Sequence, residues 1–268
     1  METVWFICVA LMIAMYVLLD GFDLGAGTIH LFAAKDDRER RMIIRAIGPV
    51  WDGNEVWIIA AGGTLFFAFP LLYASGFSGF YLPLIIVLWL LMFRGLSIEL
   101  RGHIDHPMWA SFWDAMFFIG SSLLIVVYGA ALGNVVRGVP LTRDGNFFQP
   151  LWTDFSPLSQ NPGILDWYTA LIGLLALTTL IVHGSNFVAV KTENELNARS
   201  RKISRAFWIA TVVLTVLGTA ATFYVRPQML ESFNERPYGY VLPLIAIAGL
   251  VGTGYFNFKE QGRAAFLS

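Results

Sequence analysis

The sequence predicts an all-α polytopic membrane protein with about seven transmembrane helices. Three observations carry that prediction. Hydrophobic residues fill 56% of the 268 positions and charged residues only 14%, against about 25% charged in soluble domains. Mean hydropathy is +0.62. Seven apolar runs approach or exceed the roughly 20 residues needed to cross hydrocarbon, at residues 4–32, 56–77, 79–100, 112–136, 164–190, 207–225 and 240–258. A formal net charge of -1 gives no ground for a nucleic-acid partner, and the single cysteine, Cys8, permits neither a disulfide framework nor a thiolate metal site.

The first run is too long for a signal-peptide core and has no basic region before it, so it reads as a retained span. It closes on Leu19-Asp20-Gly21-Phe22-Asp23-Leu24-Gly25-Ala26-Gly27, which sets two carboxylates where hydrocarbon is expected. At helical spacing Asp20, Asp23 and Gly27 share a face, while Gly21 and Gly25 form a small-xxx-small pair that admits a second helix backbone. Ionisable residues within a span are costly, so this helix must face protein.

The loops alternate in charge. Lys35, Arg38, Arg40, Arg41 and Arg45 follow the first run, and the loops on that side hold fourteen Lys and Arg against four on the other, namely Arg137, Arg143, Arg226 and Arg236. The positive-inside rule then places the amino terminus in the periplasm and the basic loops in the cytoplasm. The second run is preceded by Trp51-Asp52-Gly53-Asn54-Glu55, the third carries Arg94 near its end, and the fourth carries Asp114 near its start. All these polar residues collect on the cytoplasmic side. Arg94 between Asp23 and Asp114, with Asp52 left free, is one pairing that would offset their desolvation.

Each has a plainer reading. Asp23, Arg94 and Asp114 can form a buried ion-pair network that fixes helix order. Asp52 can cap the second helix, with Glu55 completing a capping-box-like arrangement, or carry protons, and the two roles are compatible. Glu99 and Arg101 read as ordinary interface residues. Among possible haem ligands, His30 ends the first helix, His103 and His106 read as loop surface, and His183 reads as a hydrogen-bonded structural histidine. No catalytic triad, phosphate cradle or metal-ligand set is visible.

The long connection after the fourth run is rich in Pro, Gly, Asn and aromatic residues. It divides the chain into a first four-helix bundle (residues 1–136), a periplasmic linker (137–163) and a second bundle (164–268). A faint repeat, Asp20-Gly21-Phe22-Asp23 against His183-Gly184-Ser185-Asn186, is consistent with duplication, yet the second half has only three runs. Either that half is shorter or the sequence lacks its last helix. From these residues alone an ion- or proton-coupled transporter and a structural membrane scaffold both stay open.

Several motifs in one register carry a resemblance. Gly21-Phe22-Asp23-Leu24-Gly25, Trp51-Asp52-Gly53-Asn54-Glu55-Val56-Trp57, Ala74-Ser75-Gly76-Phe77-Ser78-Gly79-Phe80-Tyr81, Phe93-Arg94, Trp113-Asp114 and Gly145-Asn146-Phe147-Phe148-Gln149 together resemble subunit II of the cytochrome bd-type quinol oxidases. The likeness is dense over the first 150 residues or so and looser beyond. It implies a haem-free subunit of an enzyme complex in the bacterial cytoplasmic membrane, paired with a larger subunit I that holds haems b558, b595 and d, oxidises quinol and reduces oxygen to water. It further implies that Asp52 matches a carboxylate on the proton-uptake route, and that Asp23, Arg94 and Asp114 match a polar cluster with structural or cation-binding roles, to which Asp20 is adjacent. A structurally held quinone, a small accessory subunit and membrane lipid contacts are compatible with it. The family's two four-helix bundles leave this chain one span short.

Overall fold

The computed structural model describes residues 1–268 as eleven α-helices with no strand. In order they are α1 (Glu2–Ala33), α2 (Asp37–Ile47), α3 (Trp51–Ala68), α4 (Pro70–Gly79), α5 (Tyr81–Leu100), α6 (Pro107–Arg137), α7 (Trp167–Lys191), α8 (Asn194–Val225), α9 (Gln228–Glu235), α10 (Val241–Phe258) and α11 (Gly262–Leu267). Six segments, α1, α5, α6, α7, α8 and the stretch Pro237–Phe258, are long and apolar enough to cross a membrane. The expected second run is shared between α3 and α4, which meet at Phe69. Pro70 occupies the first turn of α4, where its missing N–H costs nothing, whereas a continuous helix would set its ring against a carbonyl one turn back.

Helices α1, α6 and α7 form the centre. α1 packs on α3, α6 and α7, α6 also packs on α5, and α7 packs on α8. The buried part of α1 is its second half: every residue from Asp20 to His30 is buried, whereas most of the first half is open to the surroundings. α1 and α7 cross at Gly25 and Gly184, and a Cβ at position 25 would lie 1.9 Å from the Leu180 carbonyl. Only glycine allows that approach. Gly21 faces the Leu180 side chain, and Gly27 faces α6 through Ser121.

Caps follow local chemistry. Asp36 accepts from the Glu39 N–H to start α2, His106 accepts from Met108 at α6, and Asp166 with Thr169 forms a capping box at α7. Helix α7 therefore starts at Trp167, three residues later than its apolar run, because Ile164 and Leu165 pair with the backbone of the preceding loop. That loop is held by Arg137, which donates to the Gly163 carbonyl and pairs with Asp166.

Candidate functional site

Two tiers of charged side chains lie at the α2 end of the helices. Arg94 and Arg101, seven residues apart, share one face of α5 and stand about 10 Å apart along its axis. Each organises one tier.

In the deeper tier Arg94 is 0% exposed. Its guanidinium forks onto Asp20, with Nη1 3.0 Å from Oδ2 and Nη2 2.5 Å from Oδ1, and Nη1 also donates to Glu55 Oε1 at 2.7 Å. The planar fork matches a carboxylate, so this pair combines charge with fixed geometry. One side chain thereby ties α5 to α1 and α3. Asp23 has no cationic partner within hydrogen-bonding reach; it accepts from Asn54 Nδ2 at 2.8 Å, and the same amide donates to the Leu19 carbonyl. Tyr16 donates to Tyr128 at 3.3 Å.

The outer tier centres on Asp114. His30 Nε2 lies 2.6 Å from its Oδ1, Arg101 donates from Nε at 2.5 Å and from Nη2 at 3.0 Å, and Arg40 donates from Nη1 at 2.9 Å. Arg101 Nη2 also reaches Asp37 Oδ1 at 2.8 Å, and Asp37 accepts in turn from Arg41. These bonds, from Arg101 first and Arg41 second, hold the Asp37 carboxyl below its ordinary range. A cavity of about 580 Å³ is lined by Asp37, Arg40, Arg101 and Asp114, among others. The carboxylates of both tiers are taken up by guanidinium, imidazole and amide groups, and no set of three or more Asp, Glu, His or Cys converges as a metal cage.

The expected pairing of Arg94 with Asp23 and Asp114 is not the one observed. Asp114 sits two turns out, level with Arg101, and Asp20 rather than Asp23 points at α5. Asp52 is not a cap: Val50 holds the N-cap position without a side-chain bond, and Asp52 lies exposed in the first turn of α3. Glu55 consequently turns to Arg94 rather than back to the helix start. Arg101, read as an interface residue, is buried and doubly paired. His183 donates from Nε2 to the Leu18 carbonyl at 3.0 Å and stacks on Phe266. The sequence reading missed His30, Asn54 and Glu55 as cluster members. The seven-residue spacings of Asp23 with His30 and Arg94 with Arg101 were the available signal.

Comparison with known proteins completes the description. A family model described as cytochrome bd terminal oxidase subunit II matches residues 1–268. A probable cytochrome oxidase subunit 2 of Haemophilus influenzae is 32% identical, over 99% of this chain and 75% of its own length. The cytochrome bd-I ubiquinol oxidase subunit 2 of Escherichia coli is 36% identical, over 82% of this chain and 57% of its own. The Bacillus subtilis cytochrome bd ubiquinol oxidase subunit 2 is 32% identical, over 98% and 74%. Among solved structures, the bd oxidase of Geobacillus thermodenitrificans aligns over 99% of this chain and 79% of the matched chain, with a TM-score of 0.76 at 16% identity, a likeness of fold.

Proposed function

The chain belongs to the cytochrome bd terminal oxidase subunit II family, and from that premise we propose that it serves as the haem-free subunit of a quinol:oxygen oxidoreductase in the bacterial inner membrane. In this reading it stabilises a haem-bearing subunit I and gives protons a route from the cytoplasm towards the site of oxygen reduction. The amino terminus is periplasmic, so the α2 end with its two charged tiers faces the cytoplasm.

The observation that carries the proposal is the pair of tiers itself. They bring ionisable groups of α1, α2, α3, α5 and α6 to the side from which protons must come, beginning at a polar cavity and ending at a buried guanidinium with two carboxylates. Low-dielectric protein passes protons only where such groups or water take them up and release them. Haem in the complex supplies the oxygen chemistry, and the histidines here do not fit its axial ligation. His30 Nε2 is held by Asp114, His183 is held by Leu18 and stacked on Phe266, and His103 and His106 lie in an exposed loop between helices. Arg94 and Arg101 keep the helices in register, Asp114 holds the cavity wall, and exposed Asp52, one helical turn before the Glu55 to Val56 level, offers a carboxylate at the entrance to α3.

The break between α3 and α4 is the feature that favours a transporter, since interrupted helices often mark substrate sites. Residues Phe66 to Leu72 around it are wholly apolar, and the charged groups lie at the far end of α3. Purification through a tag on this chain, followed by a reduced-minus-oxidised spectrum and quinol-dependent oxygen uptake, tests the proposal. Haem bands and oxygen uptake in company with a larger subunit are expected. A colourless chain without a partner would overturn it.

A further inference from the structure

Where α8 meets the turn after α10, a second cavity of about 600 Å³ is lined by Asn197, Ala198, Arg201, Lys202, Arg205 and Glu260. It lies outside both charged tiers. Its two arginines hold the turn: Arg201 donates from Nη1 to the Glu260 carbonyl at 2.6 Å, and Arg205 donates from Nε to the Asn257 carbonyl at 3.1 Å and from Nη2 to Glu260 Oε1 at 2.9 Å. Carbonyls at the end of α10 are thereby satisfied by cations, which a helix C-terminus favours. That duty leaves donors over. Arg201 Nε, although buried, has no acceptor in the chain, and neither do Arg201 Nη2 and Arg205 Nη1. Lys202 is exposed and pairs with nothing. Three cations thus face a single carboxylate, and Arg205 already occupies it.

Depth narrows the chemistry of what these donors bind. The apolar run of α8 begins at Phe207, two residues after Arg205, and α10 ends at Phe258, two residues before Glu260. The cavity therefore sits where hydrocarbon gives way to headgroups, and aromatic residues mark the same level. Trp208 donates to the Leu250 carbonyl at 2.8 Å and meets Phe258 edge-on, while Lys259 Nζ stands 4.6 Å from the centre of the Tyr255 ring. On the same face of α8 as Lys202, the exposed side chains Ile209, Val213 and Val216 follow at 7, 11 and 14 residues. A basic mouth leads onto an apolar stripe. We propose that this cavity binds the phosphate headgroup of an anionic phospholipid, with an acyl chain along Ile209, Val213 and Val216. The unused N–H groups of Arg201 and Arg205 donate to phosphate oxygens, and Lys202 adds a point charge. A lipid fits better than a soluble phosphate because the cations and the stripe are continuous across the interface, where each basic side chain adds to the attraction for anionic lipid.

The site is independent of the oxidase reading and needs only a chain that spans a membrane. Protein purified through a tag on this chain, with whatever subunits accompany it, is stripped of lipid in detergent and titrated with phosphatidylglycerol, phosphatidylcholine or inorganic phosphate. Bound lipid is counted by native mass spectrometry, and the melting temperature is followed in parallel. Phosphatidylglycerol should bind and raise the melting temperature, and the other two should not. Lys202→Gln should weaken that binding about fivefold and Lys202→Glu about 25-fold, while Lys202→Arg keeps it. Because Lys202 has no partner in the chain, these variants leave the fold intact. Arg38→Gln, the same loss of charge at an exposed position of α2, should leave binding unchanged. Equal losses in Arg38→Gln and Lys202→Gln would mean diffuse surface attraction and overturn the site. Equal affinity for phosphatidylcholine, a full effect of inorganic phosphate alone, or undiminished binding in Lys202→Glu would each overturn it as well.

Discussion

Arg94 shows how much one side chain decides. Removing a partner from a buried ion pair leaves the other charge uncompensated, at a cost of about 3–5 kcal/mol. Arg94→Ala should therefore reduce the yield of assembled complex sharply, as gel filtration of the tagged protein would show, and Arg94→Lys should recover only part because an ammonium cannot fork onto Asp20. Asp52 contrasts with it. Exposed and free of any capping bond, it can lose its charge without harm to the fold, so Asp52→Asn should leave assembly intact and slow quinol-driven oxygen uptake. Normal turnover would remove Asp52 from the proposed route. The sequence located these polar residues near one end but not their partners. Partner choice depends on helix rotation: Asp20 and Asp23 differ by about 60° around α1 after whole turns are removed, enough to aim one at α5 and the other at α3.

Helices are joined here by two kinds of contact. The crossing of α1 and α7 depends on Gly25 and Gly184, and Gly25→Ala puts a methyl group onto the Leu180 carbonyl. Overpacking usually costs about 1–3 kcal/mol; because the obstacle is backbone, a loss at the upper end is expected, read as a lower melting temperature in detergent. Helix α2 is attached through charge. Asp37 binds Arg101 and Arg41, and its lowered pKa means that its contribution is present above the ordinary carboxylate pKa of about 4 and is lost as pH falls through the depressed value. The stability gap between the parent and Asp37→Asn should accordingly close below roughly pH 4, in thermal melts at graded pH. The small-xxx-small pattern of Gly21 and Gly25 is legible in the sequence. The α3–α4 break was not, because the apolar run continues through Pro70 and hydropathy is blind to a missing N–H.

Across the whole molecule, composition and the charge alternation of the loops were enough to read a helical membrane protein, since hydrocarbon accepts little else. Which helices lie at the centre was not legible, because lipid-facing and helix-facing surfaces are both apolar. The two halves are also clasped across the α2 end: Arg199 of α8 donates to the Ala33 carbonyl at 2.8 Å and pairs with Glu39 of α2. Arg199→Ala should free α2, with faster limited proteolysis near Lys35 as the readout and little change elsewhere. The long reach of the Arg94 contact has a consequence during synthesis. Asp20 is made 74 residues before the arginine that neutralises it, an interval of roughly 4–15 s at ribosomal speed. Throughout that time Asp20 has no cation to pair with, and a carboxylate in a span, which costs about 3 kcal/mol at mid-membrane, costs less towards the interface where Asp20 lies. The order of synthesis therefore favours a hydrated, interface-level position for that end of the nascent first helix until α5 emerges and Arg94 reaches Asp20.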